Sequence, residues 1–176
     1  MTSPPPFSNL AGTTLRWRQP SLFKDQHELV TPGGEVVARL IGPPKLFSST
    51  YRAEGFGGAW EFVSQNFWQT SLGIRDQGKE LPFAVLSGGI FRSDKTLELP
   101  KGERWIFQHR MLKGIFEVLD GKGMPVVTVT SRFSFKWLAE VALPASKSSL
   151  EQRPWVLMLV YLLLVRQRHH AAHGGA

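Results

Sequence analysis

The sequence predicts a mainly β fold: a closed antiparallel barrel of about twelve strands around one buried apolar helix near the C-terminus. Three observations lead there. Short runs alternate apolar and polar residues with a period of two. Glycine-bearing turns separate those runs throughout the chain. One late run, Trp155 to Val165, is eleven apolar residues without a break.

The 176 residues suit a single domain, and 42% apolar against 20% charged residues is a globular composition. Six Trp and twelve Phe are enough to fill a large interior, and seventeen Gly with twelve Pro favour many turns over a helical bundle. The chain has no Cys, which excludes disulfides, thiolate nucleophiles and Cys-ligated metals.

In chain order, residues 1–12 read as a flexible leader, because Pro4-Pro5-Pro6 supports neither a helix nor a central strand. No basic residue precedes an apolar run there, so no secretory signal is read and the expected location is cytoplasmic. Residues 13–168 form the barrel domain. Five turns punctuate it: Pro32-Gly33-Gly34, Phe56-Gly57-Gly58, Asp76-Gln77-Gly78, Pro100-Lys101-Gly102 and Asp120-Gly121-Lys122-Gly123. Each reads as a hairpin, since glycine supplies the positive φ of tight connections. Between them, Trp68, Thr70, Leu72 and Ile74 alternate with Gln69, Ser71 and Gly73, and Trp137, Ala139, Val141 and Leu143 alternate with Lys136 and Glu140.

A repeat underlies the pattern. Gly34, Gly78 and Gly123 lie 44 and 45 residues apart, and Trp60-Glu-Phe62 and Trp105-Ile-Phe107 hold matching places, with Trp17 as a degenerate first copy. Such a period also suits propeller blades, but three or four blades would use the whole chain and leave none for the helix.

The helix decides the architecture. Ser148 or Ser149 can cap it, Glu151 falls in its first turn, and Pro154 sets its start nearby, giving a helix over about 148–168. It has no polar face, so it must be surrounded. Eleven residues span roughly 17 Å against a bilayer core of about 30 Å, and Arg153 and Arg166 close both ends, so the surround is protein. A closed barrel covers every side of a helix, where a sandwich covers one or two. Residues 169–176 read as a disordered tail.

The "Phe-Glu-Val-Leu-Asp-Gly-Lys-Gly" hairpin of Phe116–Gly123, the Trp-x-Phe strands and the Trp155–Val165 helix together resemble the tubby C-terminal-like superfamily, over about Leu15 to Arg168. That group includes tubby domains, phospholipid scramblases and LURP-one-related proteins. The resemblance implies a twelve-stranded barrel around an apolar helix and a non-enzymatic binding or scaffold role. It allows contact with anionic phospholipids or phosphoinositides. No tubby lipid-binding residue is carried over, and neither an acidic calcium loop nor a palmitoylatable Cys of the scramblase kind is present.

Chemistry-bearing motifs are few. No Gly-x-Ser-x-Gly, phosphate-binding loop or His-Glu-x-x-His occurs, so no catalytic residue, cofactor or metal site is expected. Gly55–Gly58 and Ser87–Gly89 are glycine-rich but lie between strands and read as turns. His169, His170 and His173 read as tail residues, while His27 and His109 read as isolated surface or strand histidines. The net charge of +7 permits attraction to anionic lipid, hence a peripheral membrane association, and no nucleic acid is expected. The densest basic group is Arg104, Arg110 and Lys113, with His109 among them, and these three cations are the candidate ligand-binding residues. A solvated turn is the alternative reading of that group. Trp105 and Phe107 are assigned to the core by analogy with Trp60 and Phe62. The alternative function is a small enzyme or small-ligand-binding protein with a site at the barrel mouth.

Overall fold

The computed structural model describes residues 7–21, 24–43, 50–65, 71–88, 94–110, 113–131, 138–144 and 149–173, with side chains of the last segment through residue 167. Leader residues 1–6, Gly89, Trp68 and Thr70, Lys136 and Trp137, Ser148, and the side chains of His169, His170 and His173 lie outside these.

Twelve strands close into an antiparallel barrel: β1 (Thr14–Arg18), β2 (Gln26–Val30), β3 (Val36–Ile41), β4 (Thr50–Gly55), β5 (Gly58–Ser64), β6 (Ser71–Asp76), β7 (Ala84–Ser87), β8 (Asp94–Glu98), β9 (Arg104–Arg110), β10 (Ile115–Leu119), β11 (Pro125–Ser131) and β12 (Ala139–Ala142). Each pairs with its sequence neighbours, and β1 closes the ring on β12 with Thr14 opposite Ala142 and Trp17 opposite Ala139. The helix threads this ring. Residues Trp155 to Val165 are all buried, seven of them completely. A helix that is apolar on every side finds an apolar wall on every side, as its sequence requires.

The wall obeys the pleat. Trp17, Leu29, Leu40, Phe62, Ile74, Leu97, Trp105, Phe107, Val118, Val129 and Val141 all point inward and are essentially solvent-free. The repeat partners Trp17, Trp60 and Trp105 are therefore core residues in three different strands.

The β4–β5 connection is a two-residue turn with Phe56 at φ 51° and Gly57 at φ 80°, while Gly58 already belongs to β5 opposite Gly55. Both central residues take the left-handed region that a tight hairpin demands. Phenylalanine is unusual there, and its ring is held edge-on against Phe7 at 5.2 Å. The β6–β7 connection is wider than a tight hairpin. Lys79 N–H donates to Asp76 O, the chain runs on through Pro82, and β7 begins only at Ala84.

Three boundaries differ from the sequence expectation. The leader is not flexible throughout: Phe7–Leu10 form a 3-10 turn, Leu10 is buried, and Gly12 N–H donates to Pro144 O at 3.1 Å. A buried apolar anchor outweighs the lack of regular structure. The helix is broken in two, α1 (Ser149–Gln152) and α2 (Trp155–His173), because the residue before a proline is forced out of the α region. And α2 runs to His173, past the boundary expected at Arg168; nothing in its sequence breaks a helix before Gly174.

Candidate functional site

Strand direction gives the barrel two unlike ends. At the start end, where α2 enters the barrel, Glu103 Oε2 accepts from Arg153 at 2.6 Å and its Oε1 from Trp105 Nε1 at 2.8 Å. The Arg153 guanidinium also lies over the Trp105 ring at 4.9 Å. Hydrogen bonding to Arg153, then to Trp105, holds the Glu103 carboxyl below its usual range. An open groove of about 690 Å³ lies at this end, between Val36–Val37 and the β4–β5 turn.

The exit end, where α2 leaves, carries inward-facing polar groups. His27 follows the inward phase of Leu29 and is buried. Its Nε2 lies 3.0 Å from Asp25 Oδ1 and its Nδ1 2.9 Å from the Tyr161 hydroxyl. With Nε2–H donating to the carboxylate, a ring without a proton on Nδ1 accepts there from the phenol. Tyr161 also stacks on Trp17 with centroids 4.1 Å apart. Among the described residues, Trp17 Nε1 is the buried side-chain polar atom without a hydrogen-bond partner.

Beside this chain, Arg166 is buried and donates to Ser64 Oγ at 3.0 Å. Burial lowers the Arg166 pKa, opposed by Tyr51; burial raises the Tyr51 pKa, reinforced by Asp25. Across the mouth, Gln167 Nε2 lies 3.1 Å from His109 Nδ1, and Phe116 stacks on the His109 ring. Burial, then Lys95, lowers the His109 pKa, and burial lowers that of Lys95.

The three candidate cations do not form one patch. Arg104 and Arg110 stand at opposite ends of β9, about 20 Å apart at roughly 3.3 Å per residue. Arg104 faces Glu98 at the start end, at 3.5 Å. Arg110 and Lys113 share the exit end, where Arg110 lies 3.3 Å from Glu117 and Lys113 is exposed. Trp105 and Phe107 are buried, which excludes them from stacking on any ligand.

His27 and His109 are not isolated, and here the sequence reading fell short. A signal existed for the first of them. His27 lies two residues from inward Leu29, and Tyr161 is the lone hydroxyl in an apolar run, so each needed a buried partner.

The outer wall is charge-balanced. Register sets Arg18, Glu28, Arg39 and Glu54 side by side on β1 to β4, and Arg52, Glu61 and Arg75 on β4 to β6. Glu28 lies 2.8 Å from Arg18 and 3.6 Å from Arg39, and Glu61 lies 2.7 Å from Arg75 and 3.9 Å from Arg52. Arg16 meets Glu140 at 3.3 Å. The ends differ in sign. Among the described residues, the exit end carries Lys24, Lys95, Arg110, Lys113 and Arg166 against Asp25, Asp94 and Glu117, the last paired with Arg110. The start end carries Glu35, Asp76, Glu80, Glu98, Glu103, Asp120 and Glu151 against Lys79, Lys101, Arg104, Lys122 and Arg153.

Among the described residues no helix is long and apolar enough to cross a membrane, and no cluster of metal-ligating side chains occurs. No protein-family model and no curated protein matches the chain. Among solved structures, the X-ray structure of an Arabidopsis thaliana protein is similar. It has a TM-score of 0.60 at 10% identity, covering 87% of this chain and 91% of that one. At that identity the likeness concerns the fold.

Proposed function

We propose that this chain is a non-enzymatic binding module of the tubby C-terminal-like superfamily that contacts anionic phospholipids. The observation that carries the reading is the charge polarity along the barrel axis. With the wall neutralised by its own ladders, the positive excess of the described residues lies at the exit end. A field of one sign at one end attracts a surface of the opposite sign and orients the molecule toward it. The barrel lumen offers no competing site, since the helix fills it. Co-sedimentation with phosphatidylcholine vesicles, with and without phosphatidylserine or phosphoinositide, tests the reading. Binding that needs the anionic lipid and weakens with salt supports it; no binding at low salt sinks it.

A second reading, a small-ligand or catalytic site at the barrel mouth, draws on the Asp25–His27–Tyr161 chain. Two titratable groups there are within hydrogen-bond reach, but the Tyr161 hydroxyl is buried and the open groove lies at the other end. A ligand that shifts the His27 ring resonances in NMR would favour this alternative.

A further inference from the structure

We infer that the exit mouth holds a pocket for one phosphate monoester group, bound by Lys95, His109 and Gln167. The pocket does not depend on the phospholipid reading, because a soluble phosphate ester and the headgroup of phosphatidic acid present the same group.

The pleat sets two cationic or cationisable side chains inside the rim. On β8, Lys95 shares the inward phase of Leu97 and stands opposite Phe107 of β9, which is buried. His109 follows two residues after Phe107 in the same phase, and its ring stacks on buried Phe116 of β10. Lys95 and His109 are thus diagonal neighbours on one face, about 7 Å apart at Cβ. The Lys95 stem lies against Gly88, where an added Cβ would stand 3.1 Å from Lys95 Cγ. The third group comes from α2, whose Gln167 Nε2 lies 3.1 Å from His109 Nδ1. With the amide donating there, the ring proton sits on Nε2 and the amide nitrogen keeps a second N–H. Three donors from three elements therefore stand together at the mouth.

The neighbouring carboxylates belong to the other side of the wall. Asp94 takes the outward phase of β8, and Glu117 that of β10, where it lies 3.3 Å from Arg110. Asp25 serves His27 on the far side of the helix, and Arg166 of α2 donates to Ser64 on β5. Lys113 stands exposed on the rim between β9 and β10. Inside, burial and then Lys95 lower the His109 pKa, and burial lowers that of Lys95 against the pull of Asp94. An anion between the two offsets both costs. A phosphate monoester suits the place: its dianion matches two cations, and its three terminal oxygens accept from three donors, where a carboxylate offers two oxygens.

The test uses the full chain, glycerol 3-phosphate, and phosphatidylcholine vesicles with or without phosphatidic acid. The His109 ring resonances, assigned by their loss in His109→Gln, should move on addition of glycerol 3-phosphate. Their titration midpoint should rise, because the anion favours the charged ring. Lys95→Met keeps the stem and removes the charge, and should weaken binding about tenfold or more. Lys95→Gln is the second neutral variant should the first fail to fold. Lys122→Met, an exposed residue of the start end, should leave binding unchanged. Phosphatidic acid vesicles that perturb the same resonances make a lipid headgroup the source; perturbation by the soluble ester alone makes it a free phosphate ester; either result supports the pocket. Resonances that stay still with both probes, or that move equally in the neutral Lys95 variants, overturn it. Both of those failures leave the phospholipid reading, which phosphatidylserine vesicles test, standing on its own.

Discussion

The Tyr161 hydroxyl is the one polar side-chain atom that the apolar run Trp155–Val165 sends into the interior, apart from the indole of Trp155 itself. Its removal in Tyr161→Phe leaves His27 Nδ1 buried without the phenolic donor. We expect a loss of about 1–3 kcal/mol, read as a lower urea midpoint at unchanged slope. Glu103 makes a prediction in pH. Its folded pKa is depressed by Arg153 and Trp105, so its stabilising effect is full above the unfolded carboxylate pKa. It is lost as pH falls through the folded value. The melting temperature of wild type should therefore exceed that of Glu103→Gln at neutral pH, and the two should converge on acidification. A gap independent of pH would mean that Glu103 acts by packing alone. Neither partnership was legible in the sequence. Glu103 and Arg153 are separated by fifty positions, and only closure of the barrel brings them together.

At the scale of an element, α2 is the core. Leu159→Asp or Leu162→Asp places a carboxylate among apolar groups with no partner, at a cost of several kcal/mol, comparable with the whole stability of a domain. Circular dichroism should show no cooperative melt for either, while Leu159→Met, similar in volume, should fold. The helix and the hairpins were legible because local chemistry specifies them: an unbroken apolar run, and glycines where the left-handed region is needed. The break at Arg153–Pro154 was half legible. Pro154 announced a helix start, but not that a separate turn, Ser149–Gln152 with Leu150 buried, stands before it. The β6–β7 connection was misjudged because a glycine turn marks where a strand ends, not where the next one begins.

At the scale of the molecule, the barrel and its helix stand or fall together. Deleting Pro154 to Val165 removes the interior, and we expect aggregation or no thermal transition in plain buffer. A cooperative melt of that deletion would refute the buried-helix architecture. The closed wall was legible from the helix alone, since only a closed wall covers every side. The polarity of the two ends was not. Successive antiparallel connections emerge at alternate ends, so basic and acidic turns interleave along the chain and its charge looks scattered. Arg104, Arg110 and Lys113 looked adjacent for the same reason: nearness in sequence was mistaken for nearness in space. The order of the elements has one more consequence, for synthesis. A ribosome releases all twelve strands before it releases the helix they enclose, and β1 waits for β12 before the ring can shut. Each nascent strand therefore leaves the tunnel with an apolar face and nothing to cover it. A stalled chain ending before Trp155 should be degraded by a protease dose that the released, full-length protein survives.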